Sequence, residues 1–164
     1  MSAVMANIHI NIGSNQNRRE NLSKAIDIIK VTFENTVFSR VYESKAFGFE
    51  GDDFYNIGIN ATTNLTISEV VSVLHKIENN LGRDRRSPKF SSRSIDLDLT
   101  LYDTVFDKSH NLPRDDILKY NFVLMPLAEL SPNLTHPQQH QTYTQLRATM
   151  DELKSYNIEI LNKE

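Results

Sequence analysis

The sequence predicts an α+β fold in which an antiparallel sheet carries helices on one face. Several stretches alternate apolar and polar residues, as half-buried strands do. Between them, other stretches repeat apolar residues at helical spacing and begin with capping residues. The length of 164 residues fits one domain with one core. We therefore expect residues 1–164 to form a single domain.

The first half of the chain supplies strands around one helix. The predicted strands are Asn7–Ile12, Val37–Tyr42 and Asn56–Thr62. Gly13-Ser14-Asn15 ends the first strand, and Asn17 followed by Glu20 fits an N-cap pair for the helix after it. Glu43–Asp53 shows no clear periodicity, and we interpret it as a long loop that is either mobile or functional.

In the second half, Thr66 and Glu69 form a predicted capping box for a helix that Gly82 ends. The later elements are a strand from Ile95 to Leu101, a helix over Phe122–Leu130 that Pro126 either interrupts or restarts, a helix capped by Thr142 and Gln145, and a strand over Asn157–Leu161. The order β-α-β-β-α-β, followed by C-terminal helical and strand additions, is the ferredoxin-like pattern. It leaves the second sheet face or its loops free for a ligand.

Composition excludes several classes of function. A net charge of -3 and a pI near 6.0 argue against a general nucleic-acid or membrane binder. No run of about 18 apolar residues is present, and no signal-type segment opens the chain. The chain contains no cysteine, so a disulfide framework and a thiolate metal site are excluded. We expect a soluble, cytoplasmic protein that acts on small molecules.

An acidic pair marks the strand from Ile95 to Leu101. Every second residue of this strand is isoleucine or leucine and faces the core, whereas Asp96 and Asp98 face the other side. Carboxylates at i and i+2 lie roughly 7 Å apart at Cα and repel each other unless a cation lies between them. An acidic solvent-exposed face is the alternative interpretation. The strongly apolar strand and the basic residues before it favour a metal site.

The basic residues upstream of the acidic pair are Arg83, Arg85, Arg86, Lys89 and Arg93. Taken alone, such a run is more often a solvated loop. Beside two carboxylates it is what binding of Mg²⁺ together with a polyphosphate requires. No GxxxxGK[ST] motif is present, so any nucleotide binds by another scheme.

Aromatic residues near the predicted loops give a third indication. They are Phe47, Phe49, Phe54, Tyr55, Phe90 and Phe122. Each is individually as consistent with core packing, but together they could stack on a planar heterocycle, with Asn56 supplying a donor and an acceptor. The scattered histidines and the missing cysteines give no candidate for covalent catalysis.

Five motifs in this order resemble the 6-hydroxymethyl-7,8-dihydropterin pyrophosphokinase family of folate biosynthesis. They are Gly13-Ser14-Asn15, Phe54-Tyr55-Asn56, ENNLGRDR at 78–85, RSIDLDL at 93–99 and FVLMPL at 122–127. The resemblance implies a ferredoxin-like fold and transfer of pyrophosphate from ATP to the pterin hydroxymethyl group, with release of AMP. It further implies a monomer that uses two Mg²⁺ ions, bound by Asp96 and Asp98.

The resemblance also implies roles for individual residues. Catalytic roles fall on Arg83, Arg93, Asp96 and Asp98. ATP binding falls on Glu78, Arg83, Arg85, Lys89, Phe90, Arg93 and Arg114. Pterin binding falls on Ser44, Phe54, Asn56 and Phe122, with the two phenylalanines on either side of the ring and Asn56 at its edge.

Departures from the family pattern lie mainly after Pro113. Arg114 stands where the family usually has a histidine, and Tyr120 where it has an arginine near the phosphates. Arg114 could still donate to phosphate, but Tyr120 cannot replace a guanidinium charge. Two alternatives therefore stay open, a pyrophosphokinase for a modified pterin and a non-catalytic pterin- or nucleotide-binding module. An RNA-binding domain is disfavoured by the net charge and by the absence of an RNP-type strand motif.

Overall fold

The computed structural model describes residues 4–45, 53–81 and 95–162. Within these ranges, antiparallel strands form a sheet in the order β5-β1-β4-β3-β6, and β2 also pairs with β4. The strands are β1 Ala6–Ser14, β2 Glu34–Phe38, β3 Val41–Ser44, β4 Phe54–Thr63, β5 Asp96–Tyr102 and β6 Ser155–Tyr156. The α+β class and the ferredoxin-like order of the elements are confirmed.

The helices are α1 Arg18–Thr32, α2 Ile67–Asn80, α3 Asp116–Lys119, α4 Asn121–Leu130 and α5 Tyr143–Arg147. Short 3-10 turns cover Lys108–His110 and Ile158–Asn162. Both predicted capping boxes, at Thr66 and at Thr142, are present. In the described part of the chain, no helix is long and apolar enough to cross a membrane.

Two local predictions differ from the structure, and a third lies outside the described residues. Asn17 begins α1 with left-handed backbone and no side-chain cap, so the N-cap pair with Glu20 is wrong. The strand predicted over Val37–Tyr42 is two strands, because Ser39 leaves the β2 line and its hydroxyl accepts the Gly58 N–H. Gly82, predicted to end α2, lies outside the described residues.

The strand predicted over Asn157–Leu161 is also wrong. The Asn157 side chain accepts a hydrogen bond from the Glu159 N–H, and the Asn157 carbonyl accepts one from Ile160. Such Asx-type contacts compete with strand pairing and start a turn. The isoleucines at 158 and 160 therefore pack against the core from a 3-10 turn.

The main core lies between the sheet and the helices α1 and α2. It contains the isoleucines of β1 together with the buried residues Leu22, Ile29, Ile57, Leu74, Leu97 and Leu99. The sequence predicted that the opposite sheet face is free for a ligand. In the structure α4 packs across part of that face. Gly58 allows this approach, since a Cβ there would lie 2.7 Å from the Pro126 Cβ.

A bulge in β5 changes the predicted alternation. Leu99 pairs with Ile10, but Leu101 pairs with His9, which leaves Thr100 as an extra residue on β5. The Thr100 hydroxyl donates to the His9 carbonyl at 2.8 Å. Leu101 is therefore buried in a second hydrophobic core, which it forms with residues of α4 and α5. The alternation had predicted that Leu101 faces the main core with α1 and α2.

Candidate active site

Asp96 and Asp98 lie on the sheet face opposite α1 and α2, at the start of β5. In the register, Asp96 pairs with Gly13 and Asp98 with Asn11. The alternating residues Leu97 and Leu99 are buried in the main core, which fixes the direction of both carboxylates. The predicted orientation of the acidic pair is therefore what the structure shows.

Arg114 and Asp116 bring further charge to Asp98. The Arg114 Nη2 lies 3.6 Å from the Asp98 Oδ1, and its Nε donates to the Asp116 carboxylate at 3.0 Å. Burial raises the pKa of Asp98 above the usual carboxyl range, Arg114 opposes that rise, and Asp96 and Asp116 add to it. The site thus concentrates negative charge that a cation would relieve.

This charge has a consequence for stability in the absence of metal. A carboxyl with a higher pKa in the folded state than in the unfolded state favours unfolding as pH rises above about 4. We expect Asp98→Asn to raise the free energy of unfolding at pH 7 in EDTA, by less than about 1 kcal/mol because the side chain is partly exposed. Urea denaturation at pH 7 and near pH 4 tests this, and a gain that persists at the lower pH would contradict it.

Glu78 lies beneath the acidic strand. Its carboxylate is buried at the C-terminal end of α2, and Oε2 accepts the Leu97 N–H at 3.0 Å. Leu97 is the residue between Asp96 and Asp98. The predicted ATP-binding residue therefore contacts the backbone that carries the acidic pair.

Removing this acceptor should destabilise the fold. Glu78→Ala leaves the buried Leu97 N–H without its partner, so we expect a loss of roughly 1–3 kcal/mol in the free energy of unfolding. Glu78→Gln keeps an acceptor oxygen and should lose less. Urea denaturation of the two variants measures the difference, and equal losses would contradict this role.

Asn56 lies on the same face as Asp96, with Gly13 between them. Gly13 pairs with Asn56 on β4 and with Asp96 on β5. Neighbouring strands are about 4.8 Å apart, so Asn56 and Asp96 lie about 10 Å apart at Cα. A Cβ at Gly13 would lie 3.0 Å from the Asn56 Oδ1 and 3.7 Å from the Phe54 ring. Because Gly13 has no side chain, the Asn56 amide and the Phe54 ring can lie close to the β1 backbone.

The Asn56 amide is oriented by β3. Its Nδ2 donates to the Tyr42 carbonyl at 3.1 Å and to the Ser44 hydroxyl at 2.8 Å. Because a carbonyl can only accept, Nδ2 must point towards β3. Oδ1 points towards Gly13 and can accept from a ligand. The expectation that Asn56 supplies both a donor and an acceptor is therefore corrected to an acceptor.

A cleft of about 740 Å³ is lined by Ser44 and Phe122, two of the predicted pterin-binding residues. Ser44 connects it to Asn56 through a hydrogen bond, whereas Asn56, Gly13 and Asp96 do not themselves line it. Tyr120 also lines it and stacks on Phe122, with ring centroids 5.0 Å apart and planes at 19°. The stack covers one face of the Phe122 ring with Tyr120, so a flat ligand would have to stack on the remaining face.

The structure brings together some predicted residues and leaves others untested. Ser44, Phe54 and Asn56 lie on neighbouring strands, and Phe122 lies at the start of α4 across the same face. The predicted residues Arg83, Arg85, Lys89, Phe90 and Arg93 lie outside the described residues. Asn11 was not predicted because its contact with the Phe122 carbonyl joins segments 111 positions apart. Asp116 was not predicted because its proximity to Asp98 comes from the fold, although it pairs locally with Arg114.

No cluster of three or more metal-ligating side chains occurs in the described ranges. The two aspartates nevertheless fit Mg²⁺. This ion prefers oxygen ligands and is usually bound by one or two carboxylates, with water and substrate phosphates completing its shell.

Comparison with known proteins identifies the family of the chain. The family model for 7,8-dihydro-6-hydroxymethylpterin-pyrophosphokinase (HPPK) matches residues 9–132. A 2-amino-4-hydroxy-6-hydroxymethyldihydropteridine pyrophosphokinase of Aquifex aeolicus is 36% identical over 137 residues, covering 81% of this chain and 85% of the relative. One from Porphyromonas gingivalis is 30% identical over 142 residues, covering 82% and 96%.

Among solved structures, wild-type Plasmodium falciparum HPPK-DHPS with pteroate matches with a TM-score of 0.68 at 12% identity. The match covers 91% of this chain and 43% of that one, so the present chain spans less than half of its length. This similarity concerns the fold alone. The family model and the curated relatives show that the chain belongs to the 7,8-dihydro-6-hydroxymethylpterin-pyrophosphokinase family.

Proposed function

We propose that this chain transfers pyrophosphate from ATP to 6-hydroxymethyl-7,8-dihydropterin in folate biosynthesis, giving AMP and the pterin diphosphate. Besides family membership, the observation that carries the proposal is the row Asp96, Gly13 and Asn56 across three strands. It sets a hydrogen-bonding amide and an acidic metal site on one sheet face, about two strand spacings apart. A pterin at the amide can direct its hydroxymethyl group towards the acidic pair.

For the pterin, the Asn56 carbonyl oxygen accepts from a ring N–H, since both amide hydrogens are already bound by β3. Phe54 and Phe122 flank the ring, and Ser44 both orients Asn56 and lines the cleft. The Gly13 position is the floor over which the hydroxymethyl group lies. A neutral bicyclic ring with an N–H edge is the ligand these groups fit.

For the nucleotide, we propose that Asp96 and Asp98 hold two Mg²⁺ ions together with the ATP phosphates. Bound there, Mg²⁺ would neutralise phosphate charge and orient the attacking hydroxyl. Arg114 already lies beside Asp98 and can turn its guanidinium to a phosphate oxygen. Because phosphoryl-type transfer depends mainly on positioning and charge neutralisation, no covalent intermediate is required.

The remaining phosphate contacts are assigned by family resemblance. Arg83 and Arg93 would bind phosphates as catalytic residues, with Arg85, Lys89 and Phe90 completing the ATP site. Glu78 supports the same site from below through β5. We also propose, from the family resemblance, that the protein acts in the cytoplasm as a monomer.

A modified pterin is the second candidate substrate. Tyr120 lines the cleft of about 740 Å³ and stacks on Phe122, at the position where the family usually has an arginine near the phosphates. An aromatic side chain there would favour an apolar substituent on the pterin ring over a phosphate contact. The two candidates are distinguished by a competition experiment, in which pterins with an additional ring substituent compete with 6-hydroxymethyl-7,8-dihydropterin for binding.

The proposal is tested by incubating the purified protein with Mg²⁺, ATP and 6-hydroxymethyl-7,8-dihydropterin and separating the nucleotides by chromatography. We expect AMP to appear in amounts equal to the pterin diphosphate, and only when the pterin is present. ADP as the product would contradict pyrophosphoryl transfer. Pterin binding without any AMP would support the non-catalytic alternative.

A further inference from the structure

A proline inside α4 leaves one carbonyl of the helix without its usual partner. Pro126 lies within the helix Asn121–Leu130. Proline has no backbone N–H, so it cannot donate to the carbonyl of the residue four positions earlier. That residue is Phe122, which lines the cleft. The helix therefore lacks a hydrogen bond at the residue whose ring faces the proposed pterin site.

Asn11 supplies a replacement from the sheet. Its Nδ2 donates to the Phe122 carbonyl at 3.1 Å, across 111 positions of sequence. Asn11 is 6% exposed and lies on the central strand β1, paired with Asp98 on one side and Gly58 on the other. The amide thus links the strand next to the acidic pair to a residue that lines the cleft.

The close packing of Pro126 on Gly58 explains why a side chain as short as asparagine can reach α4. With no side chain at Gly58, the proline contacts β4 directly. Gly58, and Pro126 that packs on it, therefore lie on the same face of the sheet as the Asn11 side chain. Together they fix both the distance and the direction of the start of α4.

We propose that Asn11 is a positioning residue for the pterin site, acting through the Phe122 carbonyl to hold the Phe122 ring against the bound pterin. This inference rests on the proposed function, because it assigns the pterin to the Phe122 ring. Without the amide, the carbonyl loses its partner and the first turn of α4 shifts to find another. The ring then moves away from its stacking position.

The chain offers a matched control at the other end of α4. Asn60, on the same sheet face, donates its Nδ2 to the hydroxyl of Ser131, the residue that follows the helix. Both asparagines tie α4 to the sheet through Nδ2, and the Asn60 Oδ1 also bonds the His9 Nδ1 at 2.7 Å. Only the Asn11 contact is at a residue that lines the cleft, so a purely structural role predicts at least as large an effect for Asn60→Ala as for Asn11→Ala.

The experiment compares Asn11→Ala and Asn60→Ala by fluorescence titration with 6-hydroxymethyl-7,8-dihydropterin and with ATP. For Asn11→Ala we expect the pterin Kd to rise about tenfold and the ATP Kd to stay within about twofold. Asn60→Ala should leave both within about twofold. Thermal unfolding of both variants shows whether their losses of stability are comparable. Equal effects on pterin binding would overturn the proposal.

A double-mutant cycle tests the route through Phe122. Phe122→Ala removes the ring but keeps the carbonyl, so adding Asn11→Ala should cause no further loss of pterin affinity. In a Pro126→Ala background, the restored N–H should reduce the effect of Asn11→Ala. The same tenfold loss in the Phe122→Ala background would contradict the proposal.

The outcomes separate this inference from the proposed function. If the wild-type protein binds pterin but releases no AMP, the proposal of pyrophosphoryl transfer is refuted. The role of Asn11 is then decided by the titrations alone. If AMP is released and Asn11→Ala binds pterin as the wild type does, only the role of Asn11 fails. Absence of pterin binding by the wild-type protein overturns both.

Discussion

Asp96→Ala and Asp98→Ala are each expected to reduce turnover by at least about 1,000-fold while the fold survives. Both carboxylates face the same open side of the sheet, and Asp98 is desolvated enough for its pKa to rise. Under the proposed metal assignment, losing either one removes an oxygen ligand of Mg²⁺, and the described residues contain no cluster of three or more metal-ligating side chains. The measurement is kcat at saturating ATP, pterin and Mg²⁺, with circular dichroism to verify folding.

Asp27→Ala is the matched control, because Asp27 is an exposed aspartate on α1, on the other side of the sheet. It should keep kcat within about twofold, as expected for a surface substitution. Retention of activity in either Asp96→Ala or Asp98→Ala would refute the metal assignment. Loss of the folded signal would instead point to a structural role.

Asn56→Ala is expected to weaken pterin binding by at least about 100-fold. The substitution removes the acceptor that faces Gly13 and also leaves the Tyr42 carbonyl and the Ser44 hydroxyl without their donor. A site built around polar contacts discriminates strongly against their loss, since the groups left behind stay buried and unpaired. Titration with the pterin measures the effect.

Asn60→Ala again serves as the control, since Asn60 lies on the same strand and the same face as Asn56. The ATP Kd should change little in either variant. An unchanged pterin Kd in Asn56→Ala would place the pterin elsewhere. A parallel loss of ATP affinity would show that Asn56 supports the whole site.

The elements that sequence predicted well are those with local signals. The isoleucines of β1 alternate with polar residues, and α2 begins at a complete capping box, so both follow from short stretches of chain. The bulge at Thr100 has no such signal. It depends on the His9 carbonyl of a neighbouring strand and reverses the face of Leu101. Contacts from 91 positions away are not visible in a local pattern.

The candidate site shows the same division. Asp96 and Asn56 each belong to a recognisable motif, but their placement on either side of Gly13 follows from the pairing of β1 with both β4 and β5. The contact between Asn11 and Phe122 joins the first strand to the fourth helix, so neither residue's neighbours predict it. The sequence therefore identified which residues belong to the candidate site. Which of them lie next to each other became clear only from the strand register.

The most direct test of the account uses ATP labelled with ³²P at the β-phosphate, together with Mg²⁺ and 6-hydroxymethyl-7,8-dihydropterin. Attack on the β-phosphorus transfers both terminal phosphates, so the label should appear in the pterin product, with unlabelled AMP released. Label that stays in ADP would contradict pyrophosphoryl transfer at the row formed by Asp96, Gly13 and Asn56.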